Sequence, residues 1–232
     1  MLRRDAGVLM SQLSAQHRSS RYPIQLPLLY WRQSAVRTRA GAGWTRELGE
    51  GGLTVELAEP VESEVPLRIR IQTDRGPIEA QAKVAWIGAQ TGQEAEYCYG
   101  LTFTEIVPDH LQALQDLLLP LSMVPHAGMR LALDLSATCR PKNAGGLLLK
   151  GRVGEVSRGG LLLRLPQGVP RGTALEITLD SGKGPVSLEG EIAWVQTPTV
   201  AHGSWLIEHG VRFTSSTWSV SLALGFLMAG RP

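Results

Sequence analysis

Disulfide frameworks, membrane spans and metal clusters all need residues that this chain lacks. Two cysteines, Cys98 and Cys139, in 232 residues cannot staple a fold. Their scarcity suits a reducing compartment, with a single bridge between them left open. The longest nearly apolar stretch, around Leu222–Ala229, is far short of the roughly 20 residues that a spanning helix requires. Asp5 interrupts the brief apolar run after Arg3 and Arg4, so no signal peptide is visible. A cytoplasmic protein without a membrane span is expected. His17, His110, His126, His202 and His209 show no metal-ligand spacing, and the cysteines form no C-x-x-C, so neither metal nor cofactor is expected. Gly49-Glu-Gly-Gly52 lacks the Lys-Ser/Thr and the α/β setting of a phosphate loop, and Gly154-Glu-Val-Ser157 is no nucleophile elbow. Nothing predicts an enzyme.

Charge is nearly balanced, 23 Lys+Arg against 21 Asp+Glu, so any basic site must be local. The amino-terminal part is the uneven one. Arg3, Arg4, Arg18, Arg21, Arg32, Arg37 and Arg39 precede Glu47 with only Asp5 opposing them, which describes a basic arm. Arg68 and Arg70 lie among many acids, so double-stranded nucleic acid is not an expected partner.

What the chain does have is an internal repeat. Glu47-Leu-Gly-Glu-Gly-Gly-Leu53 lines up with Glu155-Val-Ser-Arg-Gly-Gly-Leu161, 108 residues on. The same displacement sets Leu67, Ile69 and Ile71 on Leu175, Ile177 and Leu179, Gly76-Pro77 on Gly184-Pro185, and Val84-Ala-Trp86 on Ile192-Ala-Trp194. After a two-residue insertion, Gly100-Leu-Thr-Phe103 meets Gly210-Val-Arg-Phe213. A 43% apolar composition lets each half bury its own core.

Each unit reads as β. Leu53, Val55 and Leu57 alternate with polar residues, as do Leu67, Ile69 and Ile71, and Leu131, Leu133 and Leu135 open the second unit. The alternation Ile78, Ala80, Ala82, Val84, Trp86 predicts that Trp86, and with it Trp194, is packed in the core. The Gly-Gly and Gly-Pro pairs punctuate strands, glycine supplying positive φ and proline removing a ladder donor. Both units close with a helical pattern: Leu111, Leu114, Leu117, Leu118 and Leu121 in the first, Val220 to Met228 in the second. The second run is apolar nearly all round, so its spare surface should meet the first unit, a second copy of the chain or an outside partner. Pro125 and Gly128 mark the boundary. The division is a basic arm at 1–16, one domain at 17–123 and another at 126–232.

Basic arm, small antiparallel barrel and trailing helix together resemble the PilZ domain, a bacterial receptor for cyclic di-GMP. The resemblance implies an all-β fold of two tandem six-stranded antiparallel β-barrels, each followed by a C-terminal α-helix. The family's motifs are R-x-x-x-R before the first strand and [D/N]-x-S-x-x-G at the turn between the second and third. In the first unit Arg21 falls on the second motif arginine, His17 stands for the first with Arg18 beside it, and the turn supplies Glu47, Gly49 and Gly52. In the second unit the turn supplies Glu155, Ser157 and Gly160, and Arg130 is the one arginine upstream. An arginine fork can meet guanine O6 and N7 or a phosphate, and a carboxylate can accept from guanine N1–H and N2–H₂. His17, mostly neutral near pH 7, cannot form that fork. Two functions are expected from the resemblance: a cyclic di-GMP receptor or adaptor binding at the first unit, or a degenerate tandem protein that binds another protein and no nucleotide. The carboxy-terminal helix could also support a homo-oligomer.

Overall fold

The computed structural model describes residues 20–32, 40–63, 65–88, 97–121, 129–142, 147–182, 184–196, 206–215 and 218–229. The period-2 segments form strands. A two-residue strand β1 (Tyr22–Pro23) precedes β2 (Pro27–Arg32), β3 (Ala40–Gly49), β4 (Gly52–Leu57), β5 (Leu67–Thr73), β6 (Gly76–Ile87) and β7 (Tyr97–Glu105). Strands β2 to β7 close into a six-stranded antiparallel barrel in the order β2-β3-β4-β7-β6-β5, and β1 lies along β3. Helix α1 (Pro108–Leu121) follows. The second half repeats the plan with β8 (Leu131–Pro141), β9 (Leu149–Ser157), β10 (Gly160–Leu165), β11 (Ala174–Asp180), β12 (Pro185–Val195) and β13 (Ile207–Ser215), closed as β8-β9-β10-β13-β12-β11, and ends in α2 (Trp218–Ala229). Strand for strand, the two circular orders are the same, which establishes the duplication.

The alternating residues fill the barrels. Leu67, Ile69 and Ile71 are fully buried in the first, and Leu175, Ile177 and Leu179 in the second. Leu114, Leu117 and Leu118 of α1 join the first core. Cys98 and Cys139 are buried and free, so no bridge links them, and burial pushes the Cys139 thiol up to about 12. Among the described residues no helix is long and apolar enough to cross a membrane.

The tryptophans occupy equivalent places, but not the expected ones. Trp86 is 43% exposed and Trp194 38%. In β6 the register against β7 shifts between Val84 and Trp86, and in β12 against β13 between Ile192 and Trp194. One extra residue, Ala85 or Ala193, is inserted at each shift. A bulge of this kind turns the next side chain to the opposite face. Val84 therefore points into the core, and Trp86 lies outside, across Gly100. Trp194 lies likewise across Gly210. A methyl group on either glycine would collide with the indole.

The all-apolar α2 is explained by what surrounds it. Leu224 and Met228 are buried in the second core, with Val220 and Leu227 packed against it. Leu222 packs on Leu29 and Ala42 of the first barrel. Trp44, on the outer side of β3, donates its indole N–H to the Ser221 carbonyl at 2.9 Å and joins the second barrel's apolar cluster. Of the occupants expected for this helix, the first barrel is the one present. Phe226 remains exposed.

Candidate functional site

The site residues gather on the outer side of β3, β4, β7 and β6. The chain after the arm is zipped to β3: Tyr22 pairs with Leu48 and Pro23 with Glu47, while Thr45 accepts from Leu26 N–H through Oγ1 and donates to the Ile24 carbonyl. This lays Arg21 across the strand next to Glu47. Arg21 Nη1 donates to Thr54 Oγ1 at 3.2 Å, and Thr54 Oγ1 donates to Glu47 Oε2 at 3.1 Å. Backbone register puts Glu47 opposite Thr54, Thr54 opposite Gly100, and Gly100 opposite Trp86. One row across four strands thus carries a cation and carboxylate joined by a hydroxyl, then a bare glycine, then an exposed indole. Arg21 and Glu47 are themselves exposed.

Gly49 and Gly52 close the β3–β4 hairpin opposite one another. Gly49 lies under the arm, where a Cβ would come within 2.7 Å of the Ser20 carbonyl oxygen and 3.2 Å of Arg21 Cγ. Gly52 and its repeat partner Gly160 face the carbonyls of Leu101 and Val211, at contacts no side chain could fit. The second glycine of each Gly-Gly pair is thus fixed by close strand approach. The expected positive φ is found at Gly52 (φ 157°), and at Gly76 (φ 119°) and Gly184 (φ 134°) in the Gly-Pro turns, but not at Gly159 or Gly160. His17 and Arg18 lie outside the described residues.

The second unit assembles differently. Arg130 Nη1 stands 3.9 Å from Glu155 Oε2, and Ser157 Oγ donates to the Gly160 carbonyl at 3.2 Å. Its row reads Glu155, Leu162, Gly210, Trp194, with Leu162 where the first barrel has Thr54. The hairpin tip is engaged elsewhere. Arg158 Nη1 sits 2.6 Å from Glu56 Oε2, side chains 19% and 7% exposed, and its guanidinium lies 6.0 Å from the Trp44 ring centroid. Arg46 reaches the other Glu56 oxygen at 3.4 Å. A charge desolvated to this degree needs such partners.

Sequence reasoning did not place Thr54, Trp86 or Arg158 in these clusters. Thr54 sits on the polar phase of β4 and reads as a solvated position. Trp86 was hidden by the bulge, although its constant pairing with Gly-x-x-Phe marked it. Arg158 was signalled only by its contrast with Glu50 at the matched tip. Among the described residues no group of His, Cys, Asp or Glu could hold a metal ion.

The family comparison agrees with this architecture. The sequence profile of the PilZ domain matches residues 16–119 and again 128–217. No curated protein matches the chain. Similar solved structures include the Borreliella burgdorferi PlzA protein in complex with c-di-GMP, 12% identical over 96% of this chain and 99% of that one, with a TM-score of 0.37. The PilZ domain of Escherichia coli YcgR with c-di-GMP is 15% identical over 46% of this chain and 92% of that one, TM-score 0.38. K. pneumonia MrkH is 12% identical over 86% of this chain and 83% of that one, TM-score 0.39. With two profile matches that together span most of its length, each on one closed barrel, the chain belongs to the PilZ domain family in tandem copies.

Proposed function

We propose that the protein is a cytoplasmic receptor or adaptor that binds cyclic di-GMP on the outer face of its first barrel and transmits that state to a protein partner, without catalysis. The observation that carries this reading is the row in which Arg21, Thr54 and Glu47 are hydrogen-bonded beside the exposed Trp86. The ligand has two guanines and two phosphates. The Arg21 fork suits a phosphate or guanine O6 and N7, and Glu47 suits the N1–H and N2–H₂ edge. The indole of Trp86 offers a stacking platform. His17 and Arg18 would join from the arm, while Gly49 and Gly52 would serve the site by letting the Arg21 segment and β7 lie close against the hairpin. Residues 17–123 form the ligand-binding domain and residues 126–232 the second domain.

Titration calorimetry on the full chain tests the reading. Arg21→Ala should weaken binding at least about tenfold, since a charged fork is lost, and added salt should weaken the wild type. No heat at about 100 μM ligand, weaker than useful signalling affinity, would overturn it.

The second barrel supports a protein-binding role. Leu162 replaces the hydroxyl of Thr54, Arg158 is committed to Glu56, and Trp194, Val195 and Leu206 are exposed near one another at adjoining ends of β12 and β13. Arg130, Glu155, Ser157 and Gly160 then serve a turn without a nucleotide.

A further inference from the structure

We infer that Thr54 is a positioning residue of the first-barrel site, supplying from β4 the hydroxyl that the β3 turn lacks. The inference rests on the nucleotide reading above. Two observations carry it. The first is geometric: Thr54 Oγ1 accepts from Arg21 at 3.2 Å and donates to Glu47 at 3.1 Å, so one hydroxyl sets both groups that would meet a guanine. Thr54 is only 7% exposed, and with its hydroxyl used in both directions it acts through its neighbours.

The second is a reciprocal exchange between the repeats. The first unit has Gly49 and Thr54; the second has Ser157 and Leu162 at the matched positions. Each unit keeps one hydroxyl at this corner, on opposite strands. The arm explains the choice. Ser20 and Arg21 lie on Gly49 so closely that a side chain there would have to displace the Ser20 backbone and crowd the Arg21 side chain. A serine at 49 is incompatible with an arm zipped to β3, and the hydroxyl is moved to the neighbouring strand. The departure from the family motif at Gly49 is therefore compensated, and restoring it should harm the site.

The consequence for specificity follows from hydrogen-bond direction. By donating to one Glu47 oxygen, Thr54 holds the carboxylate as an acceptor pair facing outward. Guanine offers two donors there; adenine offers an acceptor at N1, which a carboxylate repels. Thr54 should favour cyclic di-GMP over cyclic di-AMP.

The test is calorimetry with both dinucleotides on the full-length wild type, Thr54→Val, Thr54→Ser and Gly49→Ser, with trypsin cleavage after Arg21 followed in parallel. Thr54→Val, which keeps the shape, should lose about tenfold in cyclic di-GMP affinity, the scale of a hydrogen bond to a charged group. It should also narrow the preference over cyclic di-AMP, and cleavage at Arg21 in the free protein should quicken. Thr54→Ser should restore all three, which a role in strand packing alone would not allow, and Gly49→Ser should weaken binding. Wild-type binding with an unchanged Thr54→Val overturns the assignment of Thr54. If the wild type binds neither dinucleotide, the nucleotide reading falls. In that case, cleavage that Thr54→Val quickens and Thr54→Ser restores still upholds the positioning of Arg21, and unchanged cleavage overturns it.

Discussion

Equivalent outer faces of the two barrels align row by row and carry opposite chemistry. In the first, Leu29 on β2 lies between Ala42 on β3 and Arg70 on β5, and Pro27 pairs with Trp44. In the second, Thr138 on β8 lies between Lys150 on β9 and Thr178 on β11, and Ser136 pairs with Arg152. The first face is covered by α2; the second carries an open cleft lined by Ser136, Thr138, Lys150 and Thr178. A duplicated barrel needs only a few outward substitutions to decide which copy receives a helix, because the inward residues are left alone. The nucleotide-type corner differs in the same way. Thr54 keeps it polar in the first barrel and Leu162 makes it apolar in the second, while Arg158 commits the second hairpin to the first barrel.

The most severe way to break this asymmetry is to remove the charge that joins the barrels. Arg158→Met leaves Glu56 with only the partly exposed Arg46, and loss of one partner from a buried pair costs about 3 kcal/mol or more. Urea unfolding should then separate into two transitions where the wild type shows one. Pairing the change with Glu56→Gln should recover much of the loss, because no uncompensated charge is left. A single unshifted transition for Arg158→Met would show that α2 alone holds the units together.

A smaller effect separates the two tryptophans. They are matched in register, exposure and glycine floor, so any functional difference comes from their rows. Trp86→Ala should weaken cyclic di-GMP binding by about 1–3 kcal/mol, the range for loss of one base–aromatic stack. Trp194→Ala should leave it unchanged. Equal effects from both would place ligand on both barrels.

These cases mark what the sequence could and could not disclose. The duplication was legible because glycine, proline and tryptophan punctuation is tied to backbone geometry and survives at a constant displacement. The double role of α2 was legible in part, since an apolar circumference must be covered on all sides. Outward Trp86 was not legible: a bulge adds a residue without altering the visible alternation, so the last step of a period-2 pattern changes face silently. Arg158 was not legible either, because a charged residue in a turn looks solvated until a buried carboxylate from another domain is found beside it. The Arg21–Thr54–Glu47 relay joins the residue just before β1 to the β3–β4 hairpin, and only the pairing of β1 with β3 brings Arg21 there.

The finest contrast lies inside the barrels, where the repeats satisfy the same loop N–H with different acceptors. The loop after β4 presents Val61 N–H to Tyr99 Oη at 3.0 Å; the loop after β10 presents Val169 N–H to His209 Nε2 at 2.9 Å. His209 is fully buried, its Nδ1 is 2.9 Å from the Ile207 carbonyl, and accepting at Nε2 requires the neutral ring with its proton on Nδ1. Burial lowers its pKa below the ordinary 6.5. Above that value folded and unfolded chains are both neutral and stability does not vary with this group. As pH falls below it, the unfolded chain takes up a proton that the folded barrel refuses, so stability declines by up to about 1.4 kcal/mol per pH unit until the folded group titrates too. Urea midpoints measured at about pH 7.5 and about pH 5.5 should therefore show an acid loss that shrinks in His209→Gln, whose amide oxygen still accepts from Val169 without titrating. Equal acid losses in wild type and His209→Gln would remove His209 as the cause.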